Sequence, residues 1–293
     1  MKQVAAYLLF PLSLLLGTWG AFFALDAKLS PALVSGGITL VAFGVAMVFE
    51  RWLPRIKRAH EPGELRADLT YAGITGVLSD PLAHALVAGL TTYAAGLRGG
   101  SWEVGLPLGV LAVVVLLVHG LGDYWAHRLS HRWEWWWKLH AVHHAPARMT
   151  ALNNLRLHPL DYTLKVLFGM GPVLLLGFSE ESVALAMAIK GVCLAYQHAD
   201  LDLRHGPLNL IFATNSVHRW HHSASPAEGN RNFGGVLSLY DILFASLLLP
   251  AEDAEPERMG LFGDEHYPRH NVLRATAAPW CWKRCVADPP SQG

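Results

Sequence analysis

The chain has 293 residues, 52% of them hydrophobic and only 16% charged, with a mean hydropathy of +0.27, a more apolar balance than a soluble globule of this size carries. Its 23 basic and 23 acidic residues cancel, which argues against a nucleic-acid partner, because a phosphate-binding surface needs a basic excess. Cys193, Cys281 and Cys285 are too few for a disulfide scaffold.

The first apolar run, "VAAYLLFPLSLLLGTWGAFFAL", covers about 4–26 behind Lys2 and is longer than the core of a signal peptide. A second run at 32–50 follows at once, so the pair is read as a retained anchor. Two further runs, 71–97 and 106–122, also approach the roughly 20 helical residues that cross a hydrocarbon layer. Shorter runs at 166–178 and 182–197 are interrupted or flanked by Gly169, Gly171, Pro172 and Gly177, which predicts that they enter a membrane only partway.

Basic residues orient these segments. Arg51, Arg55, Lys57, Arg58 and Arg66 follow the second run and mark the cytoplasmic side, with the short "DAKLS" and "LRGGSWE" turns opposite. On that count the fourth run delivers His127 and His131 to the cytoplasmic face, and 182–197 returns there with His198. Trp133, Trp135, Trp136 and Trp137, flanked by Arg132 and Lys138, suit a belt at headgroup level. Residues 201–235 are polar. The run "VLSLYDILFASLLLP" at 236–250 predicts a helix on the membrane surface or against the bundle, and the acidic, proline-rich tail is peripheral.

The expected fold is therefore all-α, a polytopic membrane helical bundle with a cytoplasmic-facing, histidine-rich metal-binding cap. Its expected divisions are N-terminal transmembrane hairpins over 1–105, a histidine-box catalytic domain over 106–250, and a C-terminal tail over 251–293.

Histidine spacing carries the chemistry. His127 and His131 are four apart, which on a helix places them on one face. His140, His143 and His144 combine spacings of three and four, and His218, His221 and His222 repeat them, so each triplet is expected to aim its imidazoles one way. His158 in "NNLRLHPLD" and His198 in "YQHADLD" are further candidates. His60, His84, His119, His205, His266 and His270 lack this grouping, although His119 lies two helical turns before His127.

Eight to ten ligands exceed the needs of one metal, since four suffice for structural zinc and three with a water for catalytic zinc. Two metals with four or five ligands each would use the set. Imidazole alone does not choose among zinc, iron, copper and nickel. No carboxylate lies inside the boxes; Asp123, Asp200 and Asp202 are candidates to accept the second ring N–H, with Asn154 and its neighbour Asn153 beside them.

The order HxxxH, HxxHH, HxxHH, interleaved with apolar segments, resembles the integral-membrane fatty acid hydroxylase and sterol desaturase superfamily. "GDYWAHRLSHRWEWWWKLHAVHH", "RLHPLD" and "HRWHHSASPAEGNRNFGGVLSLYDILF" carry the likeness, over about 115–248. The resemblance implies a non-haem pair of iron ions, with O2 as co-substrate, that hydroxylates or desaturates a lipid C–H bond. It implies His127, His131, His140, His143, His144, His218, His221 and His222 as ligands, His198 as a ninth, and His158 as a ligand or close neighbour. Zinc in purified protein is compatible with iron as the working metal. The sequence departs from the superfamily at "HAD", residues 198–200, which puts the role of Asp200 in doubt.

Two other classes compete. A zinc-dependent hydrolase would want an acidic base within the boxes, and the nearest, Glu134, lies between the first two and reads as interfacial. A metal or proton transporter would place ionisable groups in the middle of several spans, whereas the first two runs have none. No haem, flavin or nicotinamide motif is present. A separate electron-donor protein is therefore expected, meeting a basic surface of Arg51, Arg55, Lys57, Arg58, Arg219 and Arg231.

Overall fold

The computed structural model of the protein describes residues 1–56, 61–95, 105–249, 251, 254–263 and 266–287. The elements are helices α1 (Lys2–Asp26), α2 (Pro31–Trp52), α3 (Glu64–Gly73), α4 (Asp80–Ala95), α5 (Leu108–Arg132), α6 (Glu134–His144), α7 (Pro159–Leu176), α8 (Glu180–Gln197) and α9 (Asn215–His221). Two short turns, α10 (Pro226–Gly229) and α11 (Leu239–Leu243), and a last helix, α12 (Val272–Trp282), complete them. Among the described residues there is no β-strand, only three isolated bridges. The all-α expectation holds.

Helices α1, α2, α5 and α7 are long and apolar enough to cross a membrane. Leu12, Leu15, Leu16 and Trp19 on α1, and Leu33, Leu40 and Val41 on α2, stay exposed, as lipid-facing positions would. Helix α8 runs through the middle of the bundle, packed against α1, α2 and α5, and has no exposed residue after Glu181. Close packing there depends on missing side chains: a Cβ on Gly17 would fall 2.8 Å from Val192.

Three elements differ from the sequence-based expectations. Helix α7 is long and apolar enough for a full span rather than a partial one. It begins seven residues ahead of the apolar run, because Pro159 sits at its first turn, where no N–H is needed, and the His158 ring accepts the N–H of Leu160 at 3.2 Å. Gly169 and Pro172 do not break it, and Gly177, at φ +74°, ends it. Residues 71–95 are not α-helical throughout, since a π-helical stretch at Ile74–Ser79 separates α3 from α4. Among the described residues of that run, 236–249, only α11 is helical. Buried Asp241 instead organises that loop, accepting the backbone N–H groups of Phe233 and Gly234 at 2.8 Å each and the Ser246 hydroxyl at 2.7 Å. Lys57, Arg58 and the whole "LRGGSWE" turn lie outside the described residues.

Helix α5 matters most for the site. It continues ten residues beyond its apolar run, so that one helix spans the bundle and carries His127 and His131 at its end. The ends of α2 and α8 meet at the same side: the Arg55 N–H donates to Asp200 O and the Asp202 N–H to Leu53 O.

Candidate metal centre

Nine histidines converge where α5, α6, α8 and α9 end. They form two groups whose candidate ligand nitrogens lie within 4.8 Å of one another: His127, His131, His140, His144 and His221 in the first, and His143, His198, His218 and His222 in the second. The groups abut, with the His144 and His222 rings stacked at 4.4 Å. Each triplet is split rather than aimed one way. Helix α6 sends His140 and His144, four apart, to the first group and His143 to the second; the third box sends His221 to the first and His218 with His222 to the second. Positions i and i+4 are offset by about 40° around a helix and i+3 by about 60° the other way, so one helix wedged between two sites serves both.

Five of the nine rings are tied down at Nδ1. His127 Nδ1 bonds Phe233 O at 2.8 Å, His221 Nδ1 bonds Arg231 O at 2.8 Å, and His140 Nδ1 bonds Asp161 Oδ2 at 2.9 Å. His198 Nδ1 faces Asn153 Oδ1 at 3.2 Å, and His131 Nδ1 faces Asn230 Oδ1 at 3.3 Å. A carbonyl or carboxylate oxygen can only accept, so it fixes the proton on Nδ1 and turns a bare Nε2 lone pair inward. Correspondingly, Nε2 of His127, His140 and His221 is buried without a hydrogen-bond partner.

The inward nitrogens also crowd one another. His218 Nε2 lies 3.0 Å from His198 Nε2 and 3.2 Å from His222 Nε2, and His131 Nε2 lies 3.1 Å from His144 Nε2. One proton cannot satisfy three nitrogens around His218, whereas a metal cation accepts a lone pair from each. Burial, the largest influence, together with neighbouring imidazoles pushes His143, His144, His218, His221 and His222 well below the usual histidine range. Burial also takes His198 to about 3 and His140 to about 4, with Lys165 lowering both and Asp161 partly offsetting this at His140. The imidazoles are thus neutral at physiological pH, the form that ligates. The residues present fit two metal ions.

His158 stands apart. Its Nε2 is 3.2 Å from Thr276 O, its Nδ1 caps α7, and its ring lies 5.6 Å from that of Trp280. The acids expected behind the ligands are elsewhere too. Asp200 Oδ1 accepts the Ile56 N–H at 3.1 Å, and Asp202 pairs with Arg55 at 2.8 Å. Asn154 donates to Leu194 O, and its neighbour Asn153 faces His198. Asp123 touches none of the nine rings through a hydrogen bond. The acid that does is Asp161, which also accepts from Trp136 Nε1 at 2.8 Å and lies 3.4 Å from Lys165 Nζ. Sequence reasoning missed it, although it ends the quoted "RLHPLD". Arg55 and Arg219, expected on a basic docking surface, turn inward with side chains 10% and 6% exposed; both pair with Glu255.

The sequence profile of the fatty acid hydroxylase family matches residues 112–246, a stretch that encloses all nine histidines and Asp161. An ornithine lipid hydroxylase of Rhizobium tropici is 32% identical over 266 residues, which cover 87% of this chain and 79% of the relative. The chain belongs to the fatty acid hydroxylase superfamily. Alkylglycerol monooxygenases are similar over a smaller part of their length: the human protein is 30% identical over 50% of this chain and 31% of its own, and that of Danio rerio 31% identical over 43% and 28%. No solved structure matches. Membership in the superfamily makes the protein a membrane oxygenase, and within the matched stretch the histidines are its distinguishing chemistry.

Proposed function

We propose that this oxygenase binds two iron ions, one in each histidine group, and uses O2 to hydroxylate a C–H bond of a membrane lipid. The observation that carries the reading is the pair of abutting imidazole groups, five and four strong, with their lone pairs turned inward. Reduced iron held there supplies the O2 activation that an unactivated C–H bond requires. The chain's own part is to fix five of the nine rings, those of His127, His221, His140, His198 and His131, through Phe233 O, Arg231 O, Asp161, Asn153 and Asn230, and to bury the set so that the rings stay neutral. The superfamily relatives named for lipid substrates support lipid as the substrate class.

The site lies on the cytoplasmic side in this reading. Arg51, Arg132 and Lys138 gather at the same end of the bundle as the nine histidines, in keeping with the positive-inside rule. Exposed Trp133 and Trp135, beside Arg132 and Lys138, mark the headgroup level, where a lipid enters laterally. Residues 1–105 anchor the chain, 106–250 carry the chemistry, and a separate protein donates electrons. With Arg55 and Arg219 neutralised, that donor meets exposed groups such as Arg51 rather than the ion-pair cluster.

The test is metal analysis with Mössbauer spectroscopy on protein made in iron-replete medium, alongside mass spectrometry of a lipid pool incubated with O2 and a reductant. Two irons per chain and lipid products heavier by one oxygen atom are expected. Iron-loaded protein that leaves every lipid class untouched while its zinc form hydrolyses esters would refute the reading.

A further inference from the structure

Trp133, Trp135 and Trp136, at the turn from α5 into α6, form a stack that ion binding does not require. The rings of Trp133 and Trp135 lie 6.0 Å apart, and those of Trp135 and Trp136 5.5 Å apart with planes 19° from parallel. The outer two are 44% and 53% exposed and border an open groove with Arg132 and Lys138, whereas Trp136 is 1% exposed. An indole that served only as a headgroup anchor would keep its N–H at the polar interface. Trp136 instead turns inward. Its Nε1 donates to Asp161 Oδ1 at 2.8 Å, while His140 and Lys165 meet Oδ2. Surface, stacked indoles, carboxylate and a ligating imidazole thus form one unbroken line of contacts.

Indole is among the most readily oxidised side chains, and rings in stacking contact exchange electrons quickly. Local charge favours this line over the others. The carboxylate beside Trp136 stabilises a positive charge on its ring. A second aromatic line leaves the site from His127 through Phe233 to Tyr124 and Trp125. It begins at a phenyl ring, which resists oxidation, and its Tyr124 and Trp125 rings lie 5.9 Å and 5.6 Å from the Arg128 guanidinium, a cation that opposes a positive charge on either. Trp137 lies close to the ligands, 5.0 Å from the His131 ring, but it stacks on Phe262, another phenyl ring.

We propose that Trp136, Trp135 and Trp133 carry oxidising equivalents away from the metal centre when O2 has reacted and no lipid C–H bond is in place. Trp136 gives one electron to the oxidised centre and becomes a radical cation, its proton kept in the bond to Asp161. Trp135 then gives one electron to Trp136, and Trp133 one to Trp135. At the surface a thiol supplies the last electron and releases its proton to water, and two thiyl radicals join as a disulfide. Each pass removes one oxidising equivalent that would otherwise attack the imidazoles. The inference rests on the lipid-oxygenase reading and adds to it a route for turnovers that find no substrate.

The experiment takes the iron-loaded, chemically reduced protein in a perfluoroalkyl surfactant, which offers no alkyl chain to oxidise. It is mixed with O2, frozen at intervals and followed by electron paramagnetic resonance, with ring-deuterated tryptophan identifying an indole radical by its narrowed lines. The wild type is expected to show that radical. Trp136→Phe should cut the signal at least about tenfold, and oxygen adducts on the histidine peptides, read by mass spectrometry, should rise correspondingly. Trp135→Phe, at an exposed position, allows the first transfer and blocks the second, so the radical should outlive that of the wild type by at least about tenfold with two irons still bound. A wild type that consumes O2 without an indole radical overturns the inference. So does a signal untouched by Trp136→Phe, or a lifetime unchanged by Trp135→Phe, which decides the matter alone should Trp136→Phe lose metal. A wild type that reacts with O2 only when lipid is added also overturns it, whereas one that reacts with O2 under neither condition refutes the oxygenase reading instead.

Discussion

Asp161 accepts from His140 Nδ1 at 2.9 Å while its other oxygen accepts from Trp136 Nε1 at 2.8 Å, so a carboxylate on α7 sets the ring orientation of a histidine on α6. Both side chains of the Asp161–His140 pair are fully buried. Substituting Asp161→Asn removes the negative charge and leaves one acceptor oxygen for two donors, so either His140 or Trp136 loses its bond. Metal affinity, measured by competition with a chelator, should fall about 10–100-fold, the usual effect of losing an outer partner of a ligating imidazole. Unchanged affinity would show that His140 is held by its packing alone.

The division of the histidines makes separable variants. His221→Ala should deplete the first group and His222→Ala the second, each taking the metal content from two ions per chain to about one, by elemental analysis. His158→Ala should keep both ions. It removes the cap on Leu160 N–H and the tie to Thr276 O, and so should destabilise the protein by about 1–2 kcal/mol in thermal or denaturant unfolding. Loss of metal from His158→Ala would place that residue among the ligands.

Acid should destabilise the metal-free protein in a defined window. His198, at about 3, and His140, at about 4, lie below the ordinary value of about 6.5 that an unfolded chain has. The unfolded state therefore takes up protons first as pH falls. The stability held by keeping these rings neutral is complete above about pH 6.5 and is lost as pH falls toward 4 and then 3, at up to about 1.4 kcal/mol per pH unit for each ring. Bound metal should shift the loss to lower pH. Unfolding of the metal-free protein that does not vary between pH 7 and 4 would contradict neutral burial.

The parts of the site written in local spacing were legible in the sequence, and those that depend on helix crossings were not. Eight histidines at i, i+3 and i+4 declare themselves without a structure, and His198 followed from the superfamily motif. Which triplet member serves which group depends on how α6 and α9 wedge between the two sites, and no spacing encodes that. Asp161 was missed because it reaches His140 across 21 residues and from another helix. Arg55 and Arg219 looked like surface charge because Glu255, their shared partner, lies in the tail. Helix α7 was underestimated because Asp161 and Lys165 interrupt its apolar pattern, whereas both turn inward to the site.

Glu50 links the N-terminal anchor to the second histidine group. At the end of α2, its Oε1 accepts the N–H of Ala151 at 2.7 Å and that of Asp200 at 2.8 Å. Ala151 is two residues before Asn153 and Asp200 two after His198, and those side chains face each other at 3.2 Å. One carboxylate oxygen therefore clamps both strands of chain that hold His198 in place. Glu50→Ala leaves two N–H groups unmet where Ala151 is fully buried, and should cost about 1–3 kcal/mol in stability. It should also release metal from the second group while sparing the first. Glu50→Gln keeps an acceptor oxygen and should restore most of the lost metal. A merely structural role would lower the unfolding temperature of both variants and leave two ions per folded chain; selective loss from the second group, rescued by glutamine, is the outcome the clamp requires.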